Sequence, residues 1–249
     1  MKVVAIVQAR MSSSRLPGKV LMPLANKPVL EHIIERLSYC KNIHQIILAT
    51  SSEKSDDAIY NFSIKNNVDC YRGCLDDVLD RYYQAAKIYS ADAILRITGD
   101  CPAIDPVVVD AVLTGYLSGN YDYYGLGGEF PDGLDCTVFS FKALSKAWAE
   151  AKLPSEREHV GPYIENNPAL FKNGALELFQ NLGKQRWTLD DPSDYKLLTE
   201  IFDELYAPDK PFLTYDVLNL MYNNPNMCKI NAHILRNEGY LQSVKNDND

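Results

Sequence analysis

Short apolar runs that end in polar clusters, separated by stretches of helical periodicity, constrain this chain more than any other feature. Residues 3–8 (Val-Val-Ala-Ile-Val-Gln) are rich in β-branched side chains, which predicts a strand buried on both faces. Pro28 then opens a helix with Val29, Leu30, Ile33, Ile34 and Leu37 on one stripe. The alternation continues as strand 45–50, helix 56–66, strand 68–71, helix 78–89, strand 93–98 and helix 106–117. Such a pattern predicts an α/β fold, a mostly parallel sheet with helices on both faces. Ligands of these sheets bind beyond the carboxyl ends of the strands. Three polar clusters fall there: 8–19, 50–52 and 98–105.

The second half is less regular. Residues 121–135 read as a loop rich in Gly, Tyr and Asp, 136–139 as a strand, and 141–152 and 156–165 as helices. Segments 176–179 and 185–189 read as strands flanking a turn at 181–183, and 192–206 and 215–223 as helices. Residues 246–249 are expected to fray. With no repeat, low-complexity tract or linker, the 249 residues read as a single domain, with a subdomain boundary near Tyr121 at most.

Charge narrows the function classes. The 25 Lys and Arg against 33 Asp and Glu leave a net charge of −8, so a general nucleic-acid or anionic-membrane binder is disfavoured. No apolar run approaches the roughly 20 residues of a membrane helix. The amino end runs straight into Gln8, Arg10 and Arg15 without a small-residue cleavage site, so the chain reads as cytoplasmic. Its six cysteines contain no CxxC pair and its four histidines no zinc-like spacing; reduced thiols and no structural metal are expected.

Against that acidic background, residues 9–19 carry Arg10, Arg15 and Lys19 and no acid. Two guanidinium forks, an ammonium and exposed backbone N–H groups suit a triphosphate. The same charges also fit a solvated surface loop. The segment is not a Walker loop, because Ser13 stands where the first glycine belongs and Val20 follows Lys19. No GxGxxG follows the first strand, which disfavours a dinucleotide site. Past the strand 93–98, Asp100 follows Gly99 and is placed either to hold Mg²⁺ on a phosphate or to serve as a turn or cap residue. Asp190 offers a second carboxylate, whereas Asp191 precedes Pro192 and suits a helix cap. Trp187 reads as core, and the cysteines, Cys101 included, as inert.

Val7-Gln8-Ala9-Arg10 through Ser14-Arg15-Leu16-Pro17-Gly18-Lys19 resembles the opening of the cytidylyltransferases that make CMP-activated acidic sugars. The nearest branch is the spore-coat-polysaccharide type, within the acylneuraminate and keto-deoxy-octonate cytidylyltransferase family. Tyr71-Arg72-Gly73, Asp77-Val78-Leu79-Asp80-Arg81-Tyr82 and Arg96-Ile97-Thr98-Gly99-Asp100-Cys101-Pro102 are similar to it as well. So are Pro131-Asp132-Gly133-Leu134-Asp135, Ser155-Glu156-Arg157-Glu158-His159-Val160, Arg186-Trp187-Thr188-Leu189-Asp190, and the segments 230–233 and 236–240.

The resemblance implies a three-layer α/β/α sandwich like the nucleotide-diphospho-sugar transferases, Rossmann-like in its mostly parallel sheet. It implies transfer of CMP from CTP to an acidic sugar, a nonulosonic or related keto-deoxy acid, with release of pyrophosphate, for surface-polysaccharide biosynthesis. Residues 1–120 would be the nucleotide-binding half, and 121–249 the acceptor-binding and dimerisation half of a homodimer. Gln8, Ala9, Arg10, Arg15, Lys19, Ser51, Ser52, Arg72, Thr98 and Asp100 would bind the nucleotide. Arg15, Lys19, Asp100 and Asp190 would carry catalysis, with Mg²⁺ on Asp100 and Asp190. Asp132, Asp135, Glu156, Arg157, His159 and Arg186 would face the acceptor.

Bland roles stand beside these. Asp132 and Asp135 fit an ordinary turn, and His159 a helix face. The acceptor half shows no clear copy of the sugar-binding pattern of the sialic-acid or ketodeoxyoctonate enzymes. A phosphonate or phosphorylated polyol would suit the same nucleotide loop. A glycosyltransferase-like or non-catalytic nucleotide-binding module is the other alternative. The one Asp-x-Asp spacing, Asp247-Asn248-Asp249, sits in the tail, which argues against a metal-dependent glycosyltransferase.

Overall fold

A computed structural model describes residues 1–247; Asn248 and Asp249, which complete the Asp-x-Asp and end the segment expected to fray, lie outside the described residues. The strands are β1 (Val3–Gln8), β2 (Pro23–Leu24), β3 (Lys27–Pro28), β4 (Gln45–Ser51), β5 (Asp69–Gly73), β6 (Ala93–Thr98), β7 (Tyr123–Gly127), β8 (Thr137–Ser140) and β9 (Asn173–Glu177). The helices are α1 (Val29–Ser38), α2 (Asp57–Lys65), α3 (Val78–Ile88), α4 (Pro106–Leu117), α5 (Phe141–Glu150), α6 (Pro154–His159), α7 (Pro162–Glu165), α8 (Pro192–Leu205), α9 (Thr214–Asn223) and α10 (Glu238–Asn246).

Seven strands form one sheet in the order β5-β4-β1-β6-β8-β7-β9, while β2 and β3 make a separate ribbon. Every pairing in the large sheet is parallel except those of β8 with β6 and β7. The short link from β7 to β8 accounts for that reversal, since a parallel return needs a long crossover. β1 lies at the centre and shows why its sequence is apolar without alternation. Val3, Ala5 and Val7 enter a core with α1, α4, α8 and α9, and Val4 and Ile6 enter a second core with α3 and α5. Each such buried Val or Ile contributes about 1.5–3 kcal/mol relative to exposure. The three-layer α/β/α arrangement is therefore built from the first strand outward. Among the described residues, no helix is long and apolar enough to cross a membrane.

Four expectations in the second half are corrected. Tyr123–Gly127, read as loop because of its glycines, is strand β7, paired on both sides by β8 and β9; tertiary pairing overrides weak local propensity. The helix expected over 156–165 is two, broken where Val160 takes φ 71° just before Gly161 and Pro162. Pro162 lacks the N–H that a continuous helix would bond back to Glu158 O, and it opens α7 instead. The strand expected at 176–179 lies earlier, at Asn173–Glu177. Residues 185–189 form no strand, because their backbone bonds go to two different loops. Trp187 N–H donates to Asp132 O (2.6 Å), and Leu189 N–H to Asp100 O (2.8 Å). That split is what brings the Asp132 and Asp100 segments together.

Candidate active site

The site grows from the carboxyl ends of β1, β4 and β6. Beyond Thr98 the chain turns at Gly99, whose N–H donates to Gln8 O at 2.8 Å. A Cβ at Gly99 would stand 2.8 Å from that same oxygen, so only glycine lets the two strand exits lie this close. The loop after β1 closes with Gly18 N–H donating to Met11 O (2.9 Å) and leads into a short 3-10 turn from Lys19 to Leu21. Asp56, fully buried, fastens the loop to β4. It accepts from Met11 N–H (2.7 Å), Ser51 N–H (3.1 Å) and the Ser51 hydroxyl (2.5 Å).

Lys19 is buried, and its Nζ donates to Asp100 Oδ2 at 2.8 Å and Asp190 Oδ1 at 2.7 Å. Two carboxylates separated by ninety positions in sequence thus converge on one point. Burial works against the Lys19 ammonium, but Asp100 and Asp190 outweigh it and raise its pKa. Burial likewise opposes ionisation of Asp100, and the Lys19 ammonium brings that carboxyl down to about 2. Because this folded value lies below the ordinary 3.8, the contact stabilises the fold above about pH 4 and is lost as pH falls towards 2. The stability gap between wild type and Lys19→Met, measured by urea unfolding in EDTA, should therefore narrow from pH 6 to pH 2.5. A gap that stays constant would contradict the pairing.

Arg186 extends the network. Its Nη1 donates to Asp132 Oδ2 (2.6 Å), its Nη2 to Asp190 Oδ2 (3.0 Å), and its Nε and Nη2 to the two oxygens of Asp194 (both 2.9 Å). Burial and the neighbouring Asp135 push the Asp132 carboxyl up to about 6 despite its contact with Arg186. That guanidinium is shared among three carboxylates, so its attraction for any one is diluted. The Asp132 turn is held against Trp187 by Gly133, at φ 105°, where a Cβ would meet the Trp187 carbonyl carbon at 2.5 Å. Trp187 is fully buried, as core.

The cations of the β1 loop stay more open. Arg15 lies 3.4 Å from Asp190 and 2.8 Å from Glu238, at the start of α10; Arg10 is 3.9 Å from Glu158. Gln8 and Thr98 lie side by side in the β1–β6 register, and Ala9 continues β1 by donating to Ala49 O.

Other expected residues have structural partners. Arg72 donates to Ser51 O (2.9 Å), Glu53 O (2.9 Å) and Asp57 (2.7 Å), shaping the turn that carries Ser52. Glu156 accepts from Lys152 and Leu153 N–H at the start of α6. Arg157 is held by Asp77 (2.7 Å) and by the carbonyls of Trp148 and Ala151. Asp135 accepts from Gly133 N–H (3.0 Å) and lies 3.8 Å from Arg236. His159 packs edge-on to Tyr240, and burial lowers its pKa.

Residues without an assigned role complete the arrangement. Asp194 and Asn231 are buried, and the Asn231 amide donates to Asp194 Oδ1 (2.8 Å) and Arg186 O (3.0 Å). The signal for Asp194 was its place three residues after Asp191 at a helix start. Asp191 accepts from Ser193 N–H and caps α8, which leaves Asp190 free to face Lys19. Among the described residues, no group of three or more His, Cys, Asp and Glu is placed to hold a metal ion. Two carboxylates, as in the Asp100–Asp190 pair, suit Mg²⁺ where substrate phosphates supply its other ligands.

The chain is similar to known proteins over most of its length. An uncharacterized protein of Methanocaldococcus jannaschii is 39% identical over 97% of this chain and 99% of its own length. A spore coat polysaccharide biosynthesis protein of Bacillus subtilis is 30% identical over 88% of this chain and 94% of its own. A solved cytidylyltransferase structure from Leptospira borgpetersenii superposes with a TM-score of 0.87 at 33% identity, covering 92% of this chain and 97% of that one. The cytidylyltransferase family profile matches residues 4–206, from the first buried strand to the end of α8 and through every carboxylate that meets Lys19 and Arg186. The chain, with a cationic loop facing paired aspartates at the exit of a parallel sheet, thus belongs to the cytidylyltransferase family.

Proposed function

We propose that the protein transfers CMP from CTP to the hydroxyl of an acidic sugar, a nonulosonic or related keto-deoxy acid, with release of pyrophosphate. The observation that carries this reading is the convergence of Asp100 and Asp190 on Lys19 beside a loop bearing Arg10 and Arg15. In the reaction the acceptor oxygen forms a bond to the α-phosphorus as the bond to the β-bridging oxygen breaks. Pyrophosphate leaves with that electron pair, and the hydroxyl proton passes to solvent.

Repulsion dominates the barrier, because a carboxylated nucleophile approaches an anionic phosphate. Arg10, Arg15 and Lys19 would offset it by binding the triphosphate. Lys19, already ammonium, would move from its carboxylates onto phosphate oxygens. Asp100 and Asp190 would then hold Mg²⁺, which polarises the α-phosphate and counters the charge growing on the leaving group. Positioning and electrostatics supply most of the acceleration, and no covalent intermediate on the protein is needed. Arg186, held by Asp132 and Asp194, keeps Asp190 aimed at the centre.

Calorimetric titration with CTP, UTP, ATP and GTP, with Mg²⁺ and then with EDTA, tests this reading. CTP should bind at least about tenfold more tightly than the other three, with affinity lost in EDTA. Preference for another base would reject the CMP-transfer reading.

A further inference from the structure

Among the described residues, Arg96, close to this centre, is left without an ion-pair anion. Arg96 lies on β6, two residues before Thr98 and four before Asp100, beside Ile6 of β1 and opposite Thr137 of β8. It is half-buried, its Nε is shielded from solvent without a hydrogen-bond acceptor, and among the described residues it forms no ion pair. The ionisable groups that feel its charge come from every side: Tyr82 of α3, Tyr123 of β7, Asp135, His159 of α6 and Glu165 of α7. None of these closes onto the guanidinium as a salt bridge. A guanidinium N–H held out of water without an acceptor is costly, and folded proteins keep one there when something else completes it.

The surroundings indicate what completes it. Among the described residues, Gln8 Oε1 on β1 and His159 Nε2 on α6 are also buried without a hydrogen-bond partner, although Glu158 lies 3.8 Å from His159, and Gln8 and Thr98 project from the same face of the sheet as Arg96. Tyr82 is not available, since its hydroxyl already lies against the carbonyls of Ile6 and Ile97. Beside the predicted transfer point there is thus one fork-shaped cation together with neutral groups suited to hydroxyls. The Arg10, Arg15 and Lys19 set lies on the loop beyond the strand and serves the phosphates.

The geometry points to Arg96 as the receptor for the acceptor's carboxylate, a positioning and specificity-determining residue. Two N–H groups of the guanidinium would grip the two carboxylate oxygens, a match that an ammonium or a neutral side chain does not reproduce. In a 2-keto-3-deoxy acid the carboxylate is bonded to the carbon that bears the nucleophilic hydroxyl. Fixing the one therefore aims the other at the α-phosphorus. The assignment rests on the acidic-sugar reading proposed above.

The test compares wild type, Arg96→Met and Arg96→Lys. Pyrophosphate release is measured with 3-deoxy-manno-octulosonate and N-acetylneuraminate, and with the C1 amide of each. Wild type should prefer the acid to its amide by about 30-fold or more in kcat/KM, the worth of a charged hydrogen-bonded pair. Arg96→Met should lose that preference through a raised acceptor KM, with CTP affinity within about twofold of wild type, and Arg96→Lys should restore part of it. Without ligands, Arg96→Met should also melt at a temperature equal to or about 2–4 °C above wild type, because it removes an unpaired charge.

An unchanged acid-to-amide ratio in Arg96→Met, or a fall in its melting temperature, overturns the assignment. So does wild type that binds CTP but turns over neither acid. Wild type that fails to bind CTP rejects the parent reading instead, and the melting comparison still decides whether Arg96 is an unpaired charge.

Discussion

Asp194→Ala should destabilise the protein by about 3–5 kcal/mol, the range for removing one partner of a buried ion pair. Asp194 is fully buried and gathers five donors: Arg186 Nε and Nη2, the Asn231 amide, and the N–H groups of Asp190 and Asp191. Alanine would take this acceptor from all five. Asp132 and Asp190 still touch Arg186, and the Asn231 amide keeps Arg186 O, but none of these reaches the backbone N–H groups of Asp190 and Asp191. Those orphans each add a desolvation cost. Asp194→Asn keeps the shape and one acceptor oxygen, so its loss should be smaller. Urea unfolding, with the slope checked for constancy, measures both. A loss under about 1 kcal/mol for Asp194→Ala would mean that the network is not the structural centre described here.

The second large effect falls on turnover. Asp100→Ala should lower kcat by about a thousandfold at saturating CTP and Mg²⁺, the scale of removing a preorganised electrostatic group at a charged transition state. Its stability loss should be modest, because Lys19 keeps Asp190 at 2.7 Å. The readout is pyrophosphate release with an accepted keto-deoxy acid, alongside calorimetric CTP affinity and a melting curve that confirms folding. Near-normal turnover would sink the role given to Asp100. A matching loss in Asp190→Ala, not additive with the first, would show that the two carboxylates act as a unit.

The elements that were legible share one property. The strands over 3–8 and 93–98 and the helix over 106–117 appear with those bounds, because a strand or helix buried in a layered core writes its own apolar period. The residues 9–19 were legible for a different reason: three cations with no acid stand out against a negative chain. Where reading failed, the structure depends on partners far away in sequence. β7 is a strand because β8 and β9 flank it, and its glycines carry no such sign. Residues 185–189 look strand-like, yet their N–H groups answer to loops 55 and 89 positions upstream, at Asp132 and Asp100.

By itself, then, the sequence determined the layered α/β class and marked the cationic loop, Asp100 and Asp190 as candidates at the strand exits. These follow from local periodicity and from residue type, which short windows contain. Only the tertiary structure decided that Lys19 bridges the two aspartates, that Asp194 and Asn231 hold Arg186, and that Arg72 and Arg157 have structural partners. It alone left Arg96 Nε buried without a hydrogen-bond partner among the described residues. Whether a charge is paired depends on which other charges the fold brings within a few ångströms, and no periodicity along the chain encodes that distance.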